Sequence, residues 1–167
     1  MPGKLYKFMA DDHDRLDGLL KRATSQPGVI DMVPFAEFRK GLLGHIAMEE
    51  KVILPTIARF QNGKQSAVAE RLRLDHGAIV ALLVPPPTPS IVETLLSILR
   101  VHNALEEEDG GLYQLLQKLA EAEQDEVLEK MKSAREVKVL LHNERPDIIE
   151  ATRRAVARAG YEFKEVS

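Results

Sequence analysis

Two His-x-x-x-Glu units, His45 to Glu49 and His102 to Glu106, and two single histidines, His13 and His76, are the residues whose types and spacing could do chemistry. Residues four apart share a face of an α-helix, so each unit aims an imidazole nitrogen and a carboxylate oxygen at one point, as ligands of a cation must be aimed. The sequence has no cysteine. That removes disulfides, thiolate metal sites and thiol catalysis, and leaves His, Asp and Glu as the strong ligands.

The six residues also fall on apolar seams with alternating spacings of three and four. His13 stands among Met9, Leu16 and Leu20; His45 and Glu49 among Phe35, Phe38, Leu42 and Val52; His76 among Ala69, Leu72, Ile79 and Leu83; His102 and Glu106 after Ile91, Leu95 and Ile98. A carboxylate buried in such a seam costs several kcal/mol unless a cation, basic side chains or a pKa shift neutralises it. A lone histidine on an apolar face is usually an ordinary core residue. Four of them, one per predicted helix and nearly at one level, point to a metal site.

The elements that must position these residues are helices. Residues 5–23 carry an amphipathic pattern, Ser25-Gln26-Pro27-Gly28 breaks it, and Pro34 suits the first turn of a second helix running to about residue 60, with a kink at Pro55. Asn62-Gly63 gives that helix a left-handed stop, and a third helix follows over about residues 64–83. From Ala23 back to His13 is ten residues, and from Pro34 on to His45 is eleven, so an antiparallel pair levels the two imidazoles. From Phe60 back to Glu49 is eleven and from Lys64 to His76 twelve, which brings His76 to the same turn. Pro85, Pro86, Pro87 and Pro89 make residues 84–90 an extended connector, and Ser90-Ile91-Val92-Glu93 reads as a capping box opening a fourth helix. After Gly110-Gly111, Leu112, Leu115, Leu116 and Leu119 resume the helical period; a charged amphipathic helix is predicted over residues 121–141 and a short one over 147–159.

The 167 residues suit one domain, divided here into a helical bundle over residues 1–130 and a C-terminal helical extension over 131–167 that carries no chemical motif. A net charge of −3 gives no basic surplus, so neither nucleic acid nor an anionic membrane is expected as a partner. Residues 1–12 lack the apolar core of a signal peptide, and no run approaches the roughly 20 apolar residues of a membrane span. A cytoplasmic location is expected.

The motifs Asp12-His13-Asp14-Arg15-Leu16, His45-Ile46-Ala47-Met48-Glu49-Glu50 with Leu54-Pro55, Asp75-His76, and His102-Asn103-Ala104-Leu105-Glu106-Glu107-Glu108 with Leu112-Tyr113 resemble the hemerythrin-like HHE cation-binding family. The resemblance covers about residues 5–130. It implies an all-α, up-down-up-down four-helix bundle with additional C-terminal helices and two iron ions, Fe2+ or Fe3+, oxo- or hydroxo-bridged. His13, His45, His76 and His102 would be terminal ligands and Glu49 and Glu106 bridges, with zinc as a substitute metal. Oxygen-carrying relatives supply two histidines from the third helix, whereas Leu72 and Val80 flank His76 here. The four-histidine pattern is similar to the branch associated with iron or oxygen sensing and with repair of oxidative and nitrosative damage. Two histidines, two bridging carboxylates and one solvent bridge leave each iron a free position, so oxygen, peroxide or nitric oxide is the expected ligand and reversible oxygen storage is not.

Rival readings use the same residues. A ferritin-like di-iron oxidase needs Glu-x-x-His with extra glutamates, an order absent from these seams. A mononuclear zinc hydrolase needs three ligands, fewer than converge here. In a third reading the chain is a non-catalytic helical interaction module with a structural iron or zinc, and whether it is an enzyme stays open. His142 is assigned to a helix end rather than to the metal, and Glu50, Glu107 and Glu108 to solvent or to support of the ligands. Asp12 and Asp75, each directly before a histidine, recur without a physical account at this level.

Overall fold

The computed structural model of the chain describes residues 1–64 and 66–167, and the regular structure among them is entirely helical. In order come α1 (Lys4–Ala23), α2 (Met32–Met48), a π-helical turn (Glu49–Ile53), α3 (Leu54–Phe60), α4 (Ala67–Leu82), α5 (Pro89–Glu107) and α6 (Leu112–Leu119). A 3-10 turn (Glu121–Glu123), α7 (Gln124–Ala134) and α8 (Ile148–Arg158) complete the chain. None of these helices is long and apolar enough to cross a membrane.

Side-chain caps explain where the helices begin. Asp31 accepts a hydrogen bond from the Val33 N–H at 3.0 Å to open α2, and Ser66 accepts from the Ala69 N–H at 3.1 Å to open α4. The helix expected from residue 64 therefore starts at Ala67, and residue 65 lies outside the described residues. The cap of α5 is Thr88, which accepts from the Ile91 N–H at 3.2 Å, not Ser90 as the capping-box pattern suggested. Pro89 belongs to the first turn rather than to the connector, because its missing N–H costs nothing there. Asn62 (φ 55°) and Gly63 (φ 78°) end α3 in left-handed conformations, with the Gly63 N–H on the Ala58 carbonyl at 2.7 Å.

Two further expectations need correction. The disturbance predicted at Pro55 takes the form of the π-turn, in which the Leu54 N–H reaches back five residues to the Glu49 carbonyl and places Pro55 in the first turn of α3. The helix predicted over 121–141 is a 3-10 turn followed by α7, which stops at Ala134. Its buried positions end with Val127 and Met131. Beyond it the chain has no regular structure up to residue 145, and tertiary partners take backbone groups there: the Arg39 guanidinium donates to the Leu140 carbonyl at 2.7 Å, and the Asn143 N–H donates to the Val84 carbonyl at 2.9 Å.

The core has two apolar clusters. One holds Leu16, Leu19 and Leu20 of α1, Phe35, Phe38 and Leu42 of α2, Ile79 and Leu82 of α4, Leu95 and Ile98 of α5, and Val156 of α8. The other holds Leu5 and Met9 of α1, Val52 and Ile53 of the π-turn, Leu72 of α4, Tyr113 and Leu116 of α6, and Val127 and Met131 of α7. Along α1, α2 and α4 the change from one cluster to the other falls at His13, at His45 to Glu49, and at His76. On α5, His102 and Glu106 follow Ile98 and precede the α6 residues of the second cluster. A polar layer thus separates two apolar ones.

Candidate metal centre

All six residues of that layer singled out by the sequence are buried, Glu49 and Glu106 completely. Their donor atoms form two groups, His13, His45, Glu49 and Glu106, and then Glu49, His76, His102 and Glu106, each with all its atoms within 4.8 Å of one another. The two groups share both glutamates. Glu49 turns Oε1 toward His45 Nε2 at 3.2 Å and Oε2 toward His76 Nε2 at 2.9 Å. Glu106 turns Oε2 toward His13 Nε2 at 3.2 Å and Oε1 toward His102 Nε2 at 3.0 Å. Each carboxylate therefore spans the groups with one oxygen in each.

The opposite edge of every imidazole is held by another carboxylate. His45 Nδ1 meets Asp12 at 2.8 Å, His102 Nδ1 meets Asp75 at 3.2 Å, His76 Nδ1 meets Glu50 at 2.6 Å, and His13 Nδ1 bonds Glu107. A carboxylate on Nδ1 fixes the ring's tautomer and rotation and presents the Nε2 lone pair inward, the usual support for a metal-binding histidine. The pattern repeats about the site. In each half the aspartate before one histidine holds the histidine of the following helix, and the second glutamate of each Glu-Glu pair holds the single histidine of the other half.

These supports answer what the sequence left without an account. The Asp-His dipeptides recur because Asp12 and Asp75 orient His45 and His102. Glu50, assigned to solvent or to support of the ligands, takes the supporting role, reaching His76 from within the π-turn. Glu108 is exposed at the end of α5. His142 lies in the irregular segment between α7 and α8 rather than at a helix end, its ring 6.5 Å from that of Phe35, and it belongs to neither donor group.

Arginines hold the supports in turn. Arg15 reaches Asp12 at 2.8 Å and Arg135, just past α7, reaches it at 3.3 Å. Arg71 reaches Asp75 at 2.6 Å and also the Ala159 carbonyl beyond α8, while Arg73 stands 3.4 Å from Glu50. The C-terminal helices thereby bear on the site through Asp12 and Asp75.

The electrostatics measure how strongly the layer draws positive charge. Burial opposes charging of His45 and His102, but the charges of Glu49 and Glu106 and the aspartate hydrogen bonds outweigh it and raise both to about 10. His76 rises to about 9 against the same burial, through the nearby Glu49 carboxylate and the hydrogen bond to Glu50, and His13 is raised through Glu106 and Glu107. Burial works to raise Glu49, yet the charge of His45 and the close approach of the His45 and His76 imidazoles carry it well below the usual carboxylate range.

Hydrogen bonding among these groups is nevertheless incomplete. Glu49 Oε2, His76 Nε2 and Glu106 Oε1 are buried without a hydrogen-bond partner, although the ion-pair distances above are short, so the groups approach one another without the alignment of a hydrogen bond. Each unsatisfied buried polar atom costs about 1–3 kcal/mol. A cation satisfies all three at once, and two neutral imidazoles with two carboxylate oxygens form a nitrogen and oxygen donor set suited to a divalent or trivalent transition metal.

Sequence reasoning missed Tyr113. Its hydroxyl is completely buried beside the first group, 2.6 Å from Glu49 Oε1, 3.0 Å from Glu106 Oε2, 3.0 Å from His45 Nε2 and 3.2 Å from His13 Nε2. In the sequence it stands only in the Leu112-Tyr113 pair that accompanies the second His-Glu unit, and neither its type nor its spacing signals its reach. Compared with family models, with curated proteins and with solved structures, the chain matches none.

Proposed function

We propose that this chain is a non-haem di-iron protein of the hemerythrin-like type, one that senses or reacts with oxygen, peroxide or nitric oxide, or handles iron under stress. The observation that carries the reading is the sharing of Glu49 and Glu106 between two buried histidine pairs, the donor set a bridged pair of ions requires. In this reading α1, α2 with α3, α4 and α5 are an up-down-up-down four-helix bundle. The packing of α1 on α2 and of α4 on α5 supports it, as does the common polar layer.

Bound iron supplies one-electron redox chemistry and affinity for small oxygen and nitrogen ligands. The chain's own residues do the rest. Asp12, Glu50, Asp75 and Glu107 keep the four imidazoles oriented, Glu49 and Glu106 neutralise positive charge, and the apolar layers limit water. A cavity of about 220 Å³ between α1, α2 and α5, walled by Leu16, Leu20, Phe38, Leu42 and Leu99, reaches His13. With a liquid-water share of about 30 Å³ as the scale, it admits several diatomic-sized molecules. The third helix offers no further histidine ligand, because Val80 is exposed and Leu72 is packed in the second apolar cluster.

Stopped-flow mixing of the anaerobic ferrous protein with oxygen, peroxide or nitric oxide tests this. Oxidation by oxygen and peroxide that degassing does not reverse, together with a nitrosyl spectrum, is the expected result. A ferrous spectrum restored by degassing indicates a carrier and contradicts the reading.

A further inference from the structure

We propose that the Tyr113 oxygen is a fifth protein donor to the ion held by His13 and His45, so that the two metal positions are chemically unlike. This rests on the di-iron reading and adds to it a ligand that the repeated His and Glu motifs do not contain.

The geometry comes first. A hydroxyl has one proton and two lone pairs, enough for three hydrogen bonds, yet the Tyr113 oxygen lies within 2.6–3.2 Å of four donor atoms of one group. Four contacts exceed what the hydroxyl can satisfy. For an ion with bonds of about 2.1 Å and right angles between neighbours, adjacent donors stand about 3 Å apart, so this oxygen is spaced as one more donor of the same ion. The second group, with His76 and His102, has no hydroxyl in it, and its Glu49 Oε2, His76 Nε2 and Glu106 Oε1 are the atoms without partners. The asymmetry sits within an otherwise repeated pattern of ligands and supports.

Packing keeps the oxygen where it is. The ring of Tyr113 is completely buried in the second apolar cluster, 6.2 Å from the Tyr6 ring at an edge-on angle of 85°. The Tyr6 hydroxyl in turn donates to the Glu107 carbonyl at 2.9 Å, which ties that neighbour to the end of α5. An ion entering the His13 and His45 group meets the phenol oxygen, and the ring has no open space into which to withdraw it. On binding, the O–H bond breaks, the oxygen–metal bond forms, and the proton is released to solvent base as the cation's charge replaces it.

The test uses the full chain loaded anaerobically with ferrous iron and then oxidised. Tyrosinate bound to iron(III) gives a visible charge-transfer band, and Raman excitation within it enhances the tyrosinate ring vibrations. We expect both from the wild type, and we expect Tyr113→Phe to lose them while still binding two irons. The chain has three tyrosines. The double variant Tyr6→Phe/Tyr161→Phe, which leaves Tyr113 alone, should keep the signal even if Tyr113→Phe does not fold. Two irons per chain without tyrosinate vibrations, or vibrations that survive Tyr113→Phe, overturn the Tyr113 assignment and leave the di-iron reading standing. One iron per chain with vibrations that require Tyr113 supports the assignment and contradicts the di-iron reading. No iron bound overturns both.

Discussion

Each of the four imidazoles is bound on its outer edge by a carboxylate, and this sets what single substitutions should do. Asp75→Asn keeps the shape but removes the charge that orients His102, and Asp12→Asn does the same for His45. Losses of this kind typically weaken metal binding about 10- to 100-fold. Competition with a chromophoric chelator measures it, with circular dichroism confirming unchanged helix content; equal affinity in wild type and both variants would show the aspartates to be incidental. Glu49→Ala should abolish magnetic coupling between two ferric ions while leaving the helices, and a coupled pair in that variant contradicts the bridging role. The six inward residues were legible in the sequence because helical period alone fixes which side chains share a seam. Asp12 and Asp75 were given no role, and Glu50 and Glu107 only a choice between solvent and support, since their partners lie on other helices and depend on how helices pack. Tyr113 was noted only in the Leu112-Tyr113 pair and given no site role for the same reason, its polar contacts lying as far as 100 positions away in the chain.

At the scale of elements, the glycine before His45 carries a constraint of its own. A Cβ on Gly44 would stand 2.5 Å from the Arg135 carbonyl oxygen, a backbone atom just past α7 that no rotamer change can move aside. Gly44→Ala should therefore push the end of α7 off α2, costing about 1–3 kcal/mol as other overpacked sites do. It should also loosen the hold of Arg135 on Asp12. Urea unfolding measures the first effect and chelator competition the second; wild-type stability would mean that the close approach carries no weight. The stop at Asn62-Gly63 and the first turn of α2 at Pro34 were readable because both depend on local backbone preferences, whereas the Asp31 cap itself was not read. The end of α7 was not readable, because Arg39, 101 positions before Leu140, takes the carbonyl that a longer helix would have used. The π-turn also escaped the seam analysis, which assumes one helical period throughout.

For the molecule as a whole, a layer of buried carboxylates and imidazoles sits between two apolar clusters, with α7 running across the boundary drawn at residue 130 and α8 packed on α4. The apolar clusters supply stability, and the layer between them supplies a demand for positive charge. Leu95→Ala in one cluster and Leu72→Ala in the other should each cost about 2–5 kcal/mol, because both side chains are fully buried. Bound metal should raise the unfolding temperature of wild type and both variants, since a ligand that binds only the folded state stabilises it by mass action. A melting curve indifferent to metal would remove the layer's claimed role. The central claim is that two ions share Glu49 and Glu106, and anomalous-difference crystallography of the iron-loaded protein tests it most directly. Two iron peaks about 3.5–4 Å apart, the separation usual in two-metal sites, are predicted, one beside His13 and His45 and the other beside His76 and His102, with both carboxylates spanning them. A single peak, or a pair that does not share Glu49 and Glu106, would contradict it.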